Sequence, residues 1–220
     1  AASAVLSEQQ MENGVAVVDI GGATTSVAVF EEGDLQYIGV IPVGGNNITN
    51  DLAIGLKTDP EIAEKVKLAN ASAVPREKNE SISIKHEKET HTFASSDVDE
   101  IVEARLEEIF VAVQKELKRA GRAGQLPSGV VLTGGSAKIK GIAEYAKERL
   151  ELAARVGKSK GYGGVAEHIE EPQFATAVGL MLLDAQDNQR PQHASKHASG
   201  KDVIKNASGK LSKFLDKFKA

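Results

Sequence analysis

The 220-residue chain has no cysteine and no tryptophan, and only 4% of it is aromatic. Without cysteine there is no thiol catalysis, no disulfide stapling and no cysteine-ligated metal. No apolar run approaches the roughly 18–20 residues that a membrane-spanning helix needs. The longest, Phe174 to Leu183, is about half that length and is interrupted by Thr176. The start, AASAVLSE, has neither a basic region nor an apolar core, so it does not read as a secretory signal. It also lacks an initiator Met, and the reading frame is expected to extend upstream of Ala1.

What is present is unevenly charged. The 27 Lys and Arg against 31 Asp and Glu give a net charge of −4. Residues 190–220 hold eight basic and two acidic groups, and the remainder is correspondingly acidic. An acidic body argues against nucleic acid as its partner, because phosphate neutralisation needs clustered Lys and Arg. The basic tail is the part that would seek an anionic surface.

The apolar pattern reads as an α/β protein. Val15–Ile20 (VAVVDI) is a near-continuous apolar strand, as expected in a sheet covered on both faces. Thr25–Phe30 and Leu35–Val43 follow as strands, and the turn Glu31-Glu32-Gly33-Asp34 makes the three an antiparallel meander. Helices are expected over 4–13, 48–56 and 59–71, the last opened by Asp59-Pro60. A two-stranded unit is expected at Ser81–His86 and Thr90–Phe93. A long helix, Asp97–Ala120, carries the stripe Val102, Leu106, Ile109, Val113, Leu117, with Ser96 or Asp97 and Glu100 placed for a capping box. Then come a buried strand at 129–133, a helix at 140–152, a short strand with a Gly-rich loop, and a helix at 172–185 with Phe174, Val178, Met181 and Leu182 on its apolar face. Residues 186–209 are rich in Gln, Asn, His, Ser, Ala and Lys without an aromatic, and are expected to be a flexible linker. Its span would be about 27 Å.

Two places share one design, an apolar strand running into a glycine pair. They are Asp19-Ile20-Gly21-Gly22-Ala23-Thr24-Thr25 and Leu132-Thr133-Gly134-Gly135-Ser136-Ala137-Lys138. Glycine lets backbone N–H groups approach a phosphate or a ribose. Asp19 could hold a Mg²⁺-bound water, and Thr24 and Thr25 could donate hydroxyls to phosphate. Neither place is a Gly-Lys-Ser/Thr loop or a G-x-G-x-x-G turn. One glycine pair alone is more simply a tight strand exit; two in one α/β chain favour binding. His86 and His91, and His193 with His197, form no defensible metal site, and no catalytic triad or carboxylate pair emerges.

The stretch from Asp19 through Thr25, Gly39-Val40-Ile41-Pro42-Val43-Gly44-Gly45-Asn46, and Ile48 through Leu56 resemble the actin superfamily, and more closely the bacterial cell-division protein family FtsA. Ala63-Glu64-Lys65-Val66-Lys67 resembles that family's nucleoside-contacting helix, and Leu132 through Ser136 its adenosine motif. The resemblance covers residues 1–185. It implies an actin-like (ribonuclease H-like) second half with a mixed sheet. The core subdomain would be 1–43 plus 97–185, and an inserted upper α+β subdomain 44–96. A linker, 186–209, and an amphipathic helix, 210–220, would follow.

It implies ATP and Mg²⁺ as ligands. Asp19, Gly21, Gly22, Thr24 and Thr25 would form a phosphate loop, and Glu64 and Lys67 would reach the ribose and adenine. Gly134, Gly135, Ser136 and Lys138 would line the adenosine pocket. From residue pattern alone, Glu64 and Lys67 read as a solvated helix face. Ala23 replaces a frequent third glycine and Ser26 a frequent Asp, so the expectation is an ATP-binding scaffold with weak ATPase activity at most. The superfamily's first half is missing, so poor isolated affinity is expected.

The tail carries a signal of its own. Leu211, Phe214, Leu215 and Phe218 are spaced i, i+3, i+4, i+7, with Lys210, Lys213 and Lys217 around them. Such a helix is marginal in water and fits an anionic membrane surface, at about 1 kcal/mol per basic residue. The alternative is docking on the body. The resemblance further implies FtsZ as partner, bound by its C-terminal peptide, self-association into actin-like filaments, and a place on the cytoplasmic face of the membrane at the division site. The alternative function is another actin-superfamily ATPase: a pilus-assembly scaffold, a chaperone or a sugar kinase.

Overall fold

The strand Val15–Ile20 (β1) is apolar throughout except for Asp19, and it is the centre of the sheet. In the computed structural model, which describes residues 1–74, 76–162 and 168–189, it is flanked by strands on both sides. Thr25–Glu31 (β2) and Asp34–Ile41 (β3) complete the antiparallel meander. Val130–Thr133 (β6) pairs with β1 in parallel, Ala16 facing Val130 and Asp19 facing Thr133. Ala154–Val156 (β7) adds a further parallel strand, so the order is β3-β2-β1-β6-β7. The meander is the one the apolar pattern predicts, and the mixed sheet is the one the family resemblance implies.

One face of this sheet is covered by Ser95–Arg119 (α5) and Ile142–Leu150 (α6); Gly45–Gly55 (α3) packs on α5 and on Pro60–Asn70 (α4), and all four helices share one apolar core with the sheet. The stripe Val102, Leu106, Ile109, Val113 and Leu117 of α5 is completely buried against it. The other face packs Val15, Val17 and Val131 against the short helix Ala2–Val5 (α1) and the start of Ala175–Gln189 (α7). That double coverage explains why β1 has no polar alternation. The hairpin Ser81–His86 (β4) and Glu89–Ala94 (β5) is a separate two-stranded sheet, with Ile82 and Ile84 turned inward over α4. An Arg105–Asp51 pair with two N···O contacts, 2.6 and 2.9 Å, ties α5 to α3. Residues 1–185 form one compact unit.

Several local expectations are corrected. The N-terminal segment is not one helix: extended Leu6 and Ser7 break it, and Ser7 caps a second helix, Glu8–Asn13 (α2), through a capping box with Gln10. The box expected at Ser96 or Asp97 and Glu100 does not form, because α5 starts earlier, at Ser95. Its amide partner comes from elsewhere: Asn79 Oδ1 accepts from the Ser96 N–H at 3.2 Å, while the buried Ser95 hydroxyl accepts from the Glu80 N–H. The helix expected from 140 starts only at Ile142, after Gly141 in the left-handed region. Residues 172–174 are a 3₁₀ turn before α7, and α7 runs past residue 186, where a linker was expected. Met181 is 43% exposed and does not share the buried face of Val178. The remaining linker and the amphipathic helix at 210–220 lie outside the described residues.

Candidate functional site

β1 and β6 are parallel neighbours whose carboxyl ends stop side by side, at Ile20 and Thr133. The chain leaves β1 toward β2 on one side and reaches β6 only after α3, α4 and α5. In open α/β sheets such a reversal leaves a crevice outside the strand ends, where ligands bind. Both glycine pairs lie at these strand ends. Gly134 has φ +86° and ψ 170°, a region closed to side chains, and a Cβ there would lie 2.5 Å from Asp19 Oδ1 and closer still to the Ile20 carbonyl. Gly134 therefore serves the close approach of the two strand exits. Gly135 is exposed, and a Cβ on it would meet no atom within 4 Å.

The first loop is tied to the start of α3. The amides of Gly45 and Asn46 donate to the carbonyls of Gly21 and Gly22 at 2.8 and 2.7 Å. Gly44 must be glycine, since a Cβ would stand 2.6 Å from both of those carbonyl oxygens. A Cβ on Gly45 would collide with the Ser136 hydroxyl, with Lys67 Nζ 3.7 Å away. Around the same point Lys67 donates to the Gly45 carbonyl at 3.1 Å and to the Thr49 hydroxyl at 2.8 Å, and pairs with Glu64 at 2.7 Å. Thr49 in turn donates to the Glu64 carboxylate. Lys67 is only 10% exposed, whereas Glu64 is 40% exposed.

The structure thus brings Gly21, Gly22, Glu64, Lys67 and Ser136 together around Gly44-Gly45. Glu64 and Lys67 are an organised cluster, not a freely solvated helix face. Thr24 is exposed at the tip of the loop, but Thr25 is fully buried and donates to the Val43 carbonyl at 2.8 Å. Asp19 accepts from the Thr176 hydroxyl on α7 at 2.8 Å. Lys138 stands apart, paired with Glu171 at 2.6 Å. That ammonium, helped by the Gln173 carboxamide, holds the Glu171 carboxyl below its ordinary range. The amphipathic-helix residues Lys210, Leu211, Lys213, Phe214, Leu215, Lys217 and Phe218 are outside the described residues.

Sequence reasoning assigned no site role to Gly44, Gly45, Asn46, Thr49 or Thr176. A third glycine pair at the start of a helix was the signal for the first three. Thr176, more than 150 residues from Asp19, had none. Two clefts lie away from this crevice, one of about 290 Å³ at Arg76 and Asp99 and one of about 510 Å³ at Lys57 and His91. Among the described residues, no cluster of His, Cys, Asp and Glu could hold a metal by itself.

Two glycine loops open on one crevice, a Cβ-free position at Gly135 is unobstructed, and Asp19 supplies a carboxylate at a strand exit without other acids to complete a metal site.

The family model described as cell division protein FtsA matches residues 16–179. The cell division protein FtsA of Pseudomonas aeruginosa is 36% identical over 189 residues, covering 84% of this chain and 45% of that protein. The chain spans a little under half the length of the curated relatives it matches. Among solved structures, MreB5 of Spiroplasma citri bound to ADP aligns with a TM-score of 0.67 at 19% identity, over 84% of this chain and 57% of that one. A double helical filament of MamK aligns at 0.58 and 19% identity, over 81% and 55%. These likenesses establish an actin-like fold.

Proposed function

The chain belongs to the cell division protein FtsA family, and from that premise we propose that it forms the second half of an actin-like, ATP-binding scaffold that tethers FtsZ filaments to the cytoplasmic face of the membrane at the division site. The observation that carries the nucleotide reading is the convergence of Gly21, Gly22, Ser136 and Lys67 on Gly44-Gly45, at the carboxyl ends of two parallel strands. MreB5, which shares the fold, is bound to ADP.

In this reading the exposed backbone at Gly22 to Thr24 and the Thr24 hydroxyl receive phosphate oxygens, the Gly21 N–H being used within the loop by the Thr24 carbonyl. Gly135 and Ser136 border the adenosine, and the Glu64 carboxylate, held by Lys67 and Thr49, faces the ribose. A magnesium ion would neutralise phosphate charge, with Asp19 taking one of its waters. Thr176 orients that carboxylate by donating to one of its oxygens. Residues 44–96 would receive the C-terminal peptide of FtsZ, and copies of the chain would associate as filament subunits. The helix at 210–220 would lie in the membrane surface, its lysines meeting anionic headgroups.

Two measurements test the proposal on the whole chain. Amide chemical shifts of Gly21 to Thr24 and of Gly135 are followed while Mg-ATP is added to millimolar concentration. Saturable shifts confined to those loops are expected, and their absence would overturn the nucleotide reading. Separately, co-sedimentation with vesicles of mixed neutral and anionic lipid compares the whole chain with one ending at Asn206 and with Phe214→Glu. The whole chain alone should pellet, less so at high salt; three supernatants would remove the membrane tether.

A further inference from the structure

The outer side of the meander carries a feature that neither the nucleotide crevice nor the tail explains. Among the described residues β3 is an edge strand, bonded to β2 on one side only. Leu35, Ile38 and Val40 on it are 53, 66 and 62% exposed. Strict alternation would put Leu35 on the opposite face from Ile38 and Val40. A bulge prevents that: Val29 faces Tyr37 but Phe30 faces Leu35, so Gln36 is the extra residue. Leu35 therefore joins Ile38, opposite Ala28, and Val40, opposite Ser26, on one bare face.

Natural edge strands are usually blunted by an inward charge, a lysine or a proline. From Leu35 to Ile41 this one has no charge and no proline; Pro42 comes only after it. The bulge lies at the turn end and leaves Tyr37 to Ile41 in regular register. Tyr37 is anchored inward by its bond to Glu116, which ties the middle of β3 to α5. The acidic groups Glu31, Glu32 and Asp34 all sit beyond one end.

The geometry points to β3 as a self-pairing edge: two copies of this chain join antiparallel, β3 to β3, about a two-fold axis at Gly39. This rests on the self-association reading above and names its surface. In that register Ile38 of each copy lies opposite Val40 of the other, and the two acidic turns sit at opposite ends of the joint ladder. A two-fold axis at Ile38 would set Val40 opposite Gln36, and one at Val40 would set Ile38 opposite Pro42, each keeping one apolar pair where the axis at Gly39 makes two. Gly39 at the axis brings no side chain to obstruct the approach. The partner demanded by the free backbone groups is a strand, and the apolar face asks for an uncharged one; β3 itself meets both requirements.

The chain's lack of cysteine makes the register testable. Single variants Ile38→Cys and Val40→Cys are prepared in the full chain, mixed and mildly oxidised, while sedimentation velocity gives the association state of the unmodified chain. Directly opposed Cβ atoms in such a ladder stand about 4.5–5.5 Å apart, near disulfide reach, whereas diagonal ones are farther. The mixed dimer, which joins one Ile38→Cys chain to one Val40→Cys chain, should dominate both homodimers. Ile38→Lys, at an exposed site that does not disturb the core, should weaken association about tenfold or more, two cross-strand apolar pairs being lost together. If the chain associates but Ile38→Lys leaves association unchanged and no mixed dimer forms, the β3 surface is wrong while self-association stands. A chain that stays monomeric at every concentration overturns both.

Discussion

Gly134 and Gly135 are adjacent, yet alanine at the two positions should have opposite consequences. At Gly134 the backbone has φ +86° and ψ 170°, essentially a glycine-only region, and holding a side chain there costs about 1–3 kcal/mol. The added Cβ would also sit 2.5 Å from Asp19 Oδ1 and nearer to the Ile20 carbonyl, a main-chain atom that no rotamer change can move aside. Relieving it means parting β1 from β6, an overpacking strain of a further ~1–3 kcal/mol. Gly134→Ala should therefore lose about 4 kcal/mol, which for a body of this size lowers Tm by about 8–16 °C. Gly135→Ala meets nothing within 4 Å and should stay within about 0.5 kcal/mol of the parent. Urea unfolding followed by circular dichroism measures both. A Gly134→Ala protein as stable as the parent would refute the claim that this glycine exists to let the strand exits touch. Because Gly135→Ala remains folded, a loss of Mg-ATP response in it reports on the crevice and not on stability.

The Lys67 ammonium serves three acceptors at 10% exposure, so Lys67→Met leaves the Glu64 carboxylate and the Thr49 hydroxyl without their cation; urea unfolding should show a loss of about 1–3 kcal/mol. The two-contact Arg105–Asp51 pair is part-buried, and a double-mutant cycle to alanine should return a coupling of about 1 kcal/mol, where an exposed pair would return almost nothing. Lys138 and Gln173 depress the Glu171 carboxyl in the folded chain, so its contribution to stability is present above the unfolded carboxylate value and is lost as pH falls through the folded one. In Lys138→Met the Glu171 titration followed by NMR should move upward toward the ordinary carboxylate value.

The sheet was legible because its signals are local and redundant. VAVVDI is apolar at consecutive positions only because helices cover both faces, and the Glu31–Asp34 turn fixes the meander. The long helix was legible from five residues at helical spacing. Its start was not, because the group that caps it, Asn79, lies on a different segment, and a capping box read from adjacent residues is a rule about isolated helices. The site divides the same way. Glycine pairs after strands can be seen in a sequence, whereas the inward turn of the Thr25 hydroxyl to Val43 depends on where β3 ends. Lys67 looked like an ordinary helix-face residue because nothing in its own neighbourhood announces Gly45 as its acceptor.

The start of α3 has a consequence for how the crevice can work. A helix N-terminus ordinarily offers free amides to an anion. Here the first two amides, of Gly45 and Asn46, are already used by the carbonyls of Gly21 and Gly22, and Asn47 Oδ1 accepts from the Gly44 N–H at 3.0 Å. The Gly21 N–H closes the loop on the Thr24 carbonyl at 2.9 Å, so in the proposed nucleotide reading phosphate is left to the exposed backbone of Gly22 to Thr24, while α3 holds that loop from behind. Lys67 closes the arrangement by bonding the Gly45 carbonyl from α4. The loop's position is consequently set by two helices of the region expected to receive a partner. A ligand that moved α3 against α4 would have to carry the Gly21 and Gly22 carbonyls with it or break two bonds of 2.8 and 2.7 Å. Coupling between the upper region and the crevice needs no long relay in this fold, since the shared element is the first turn of one helix.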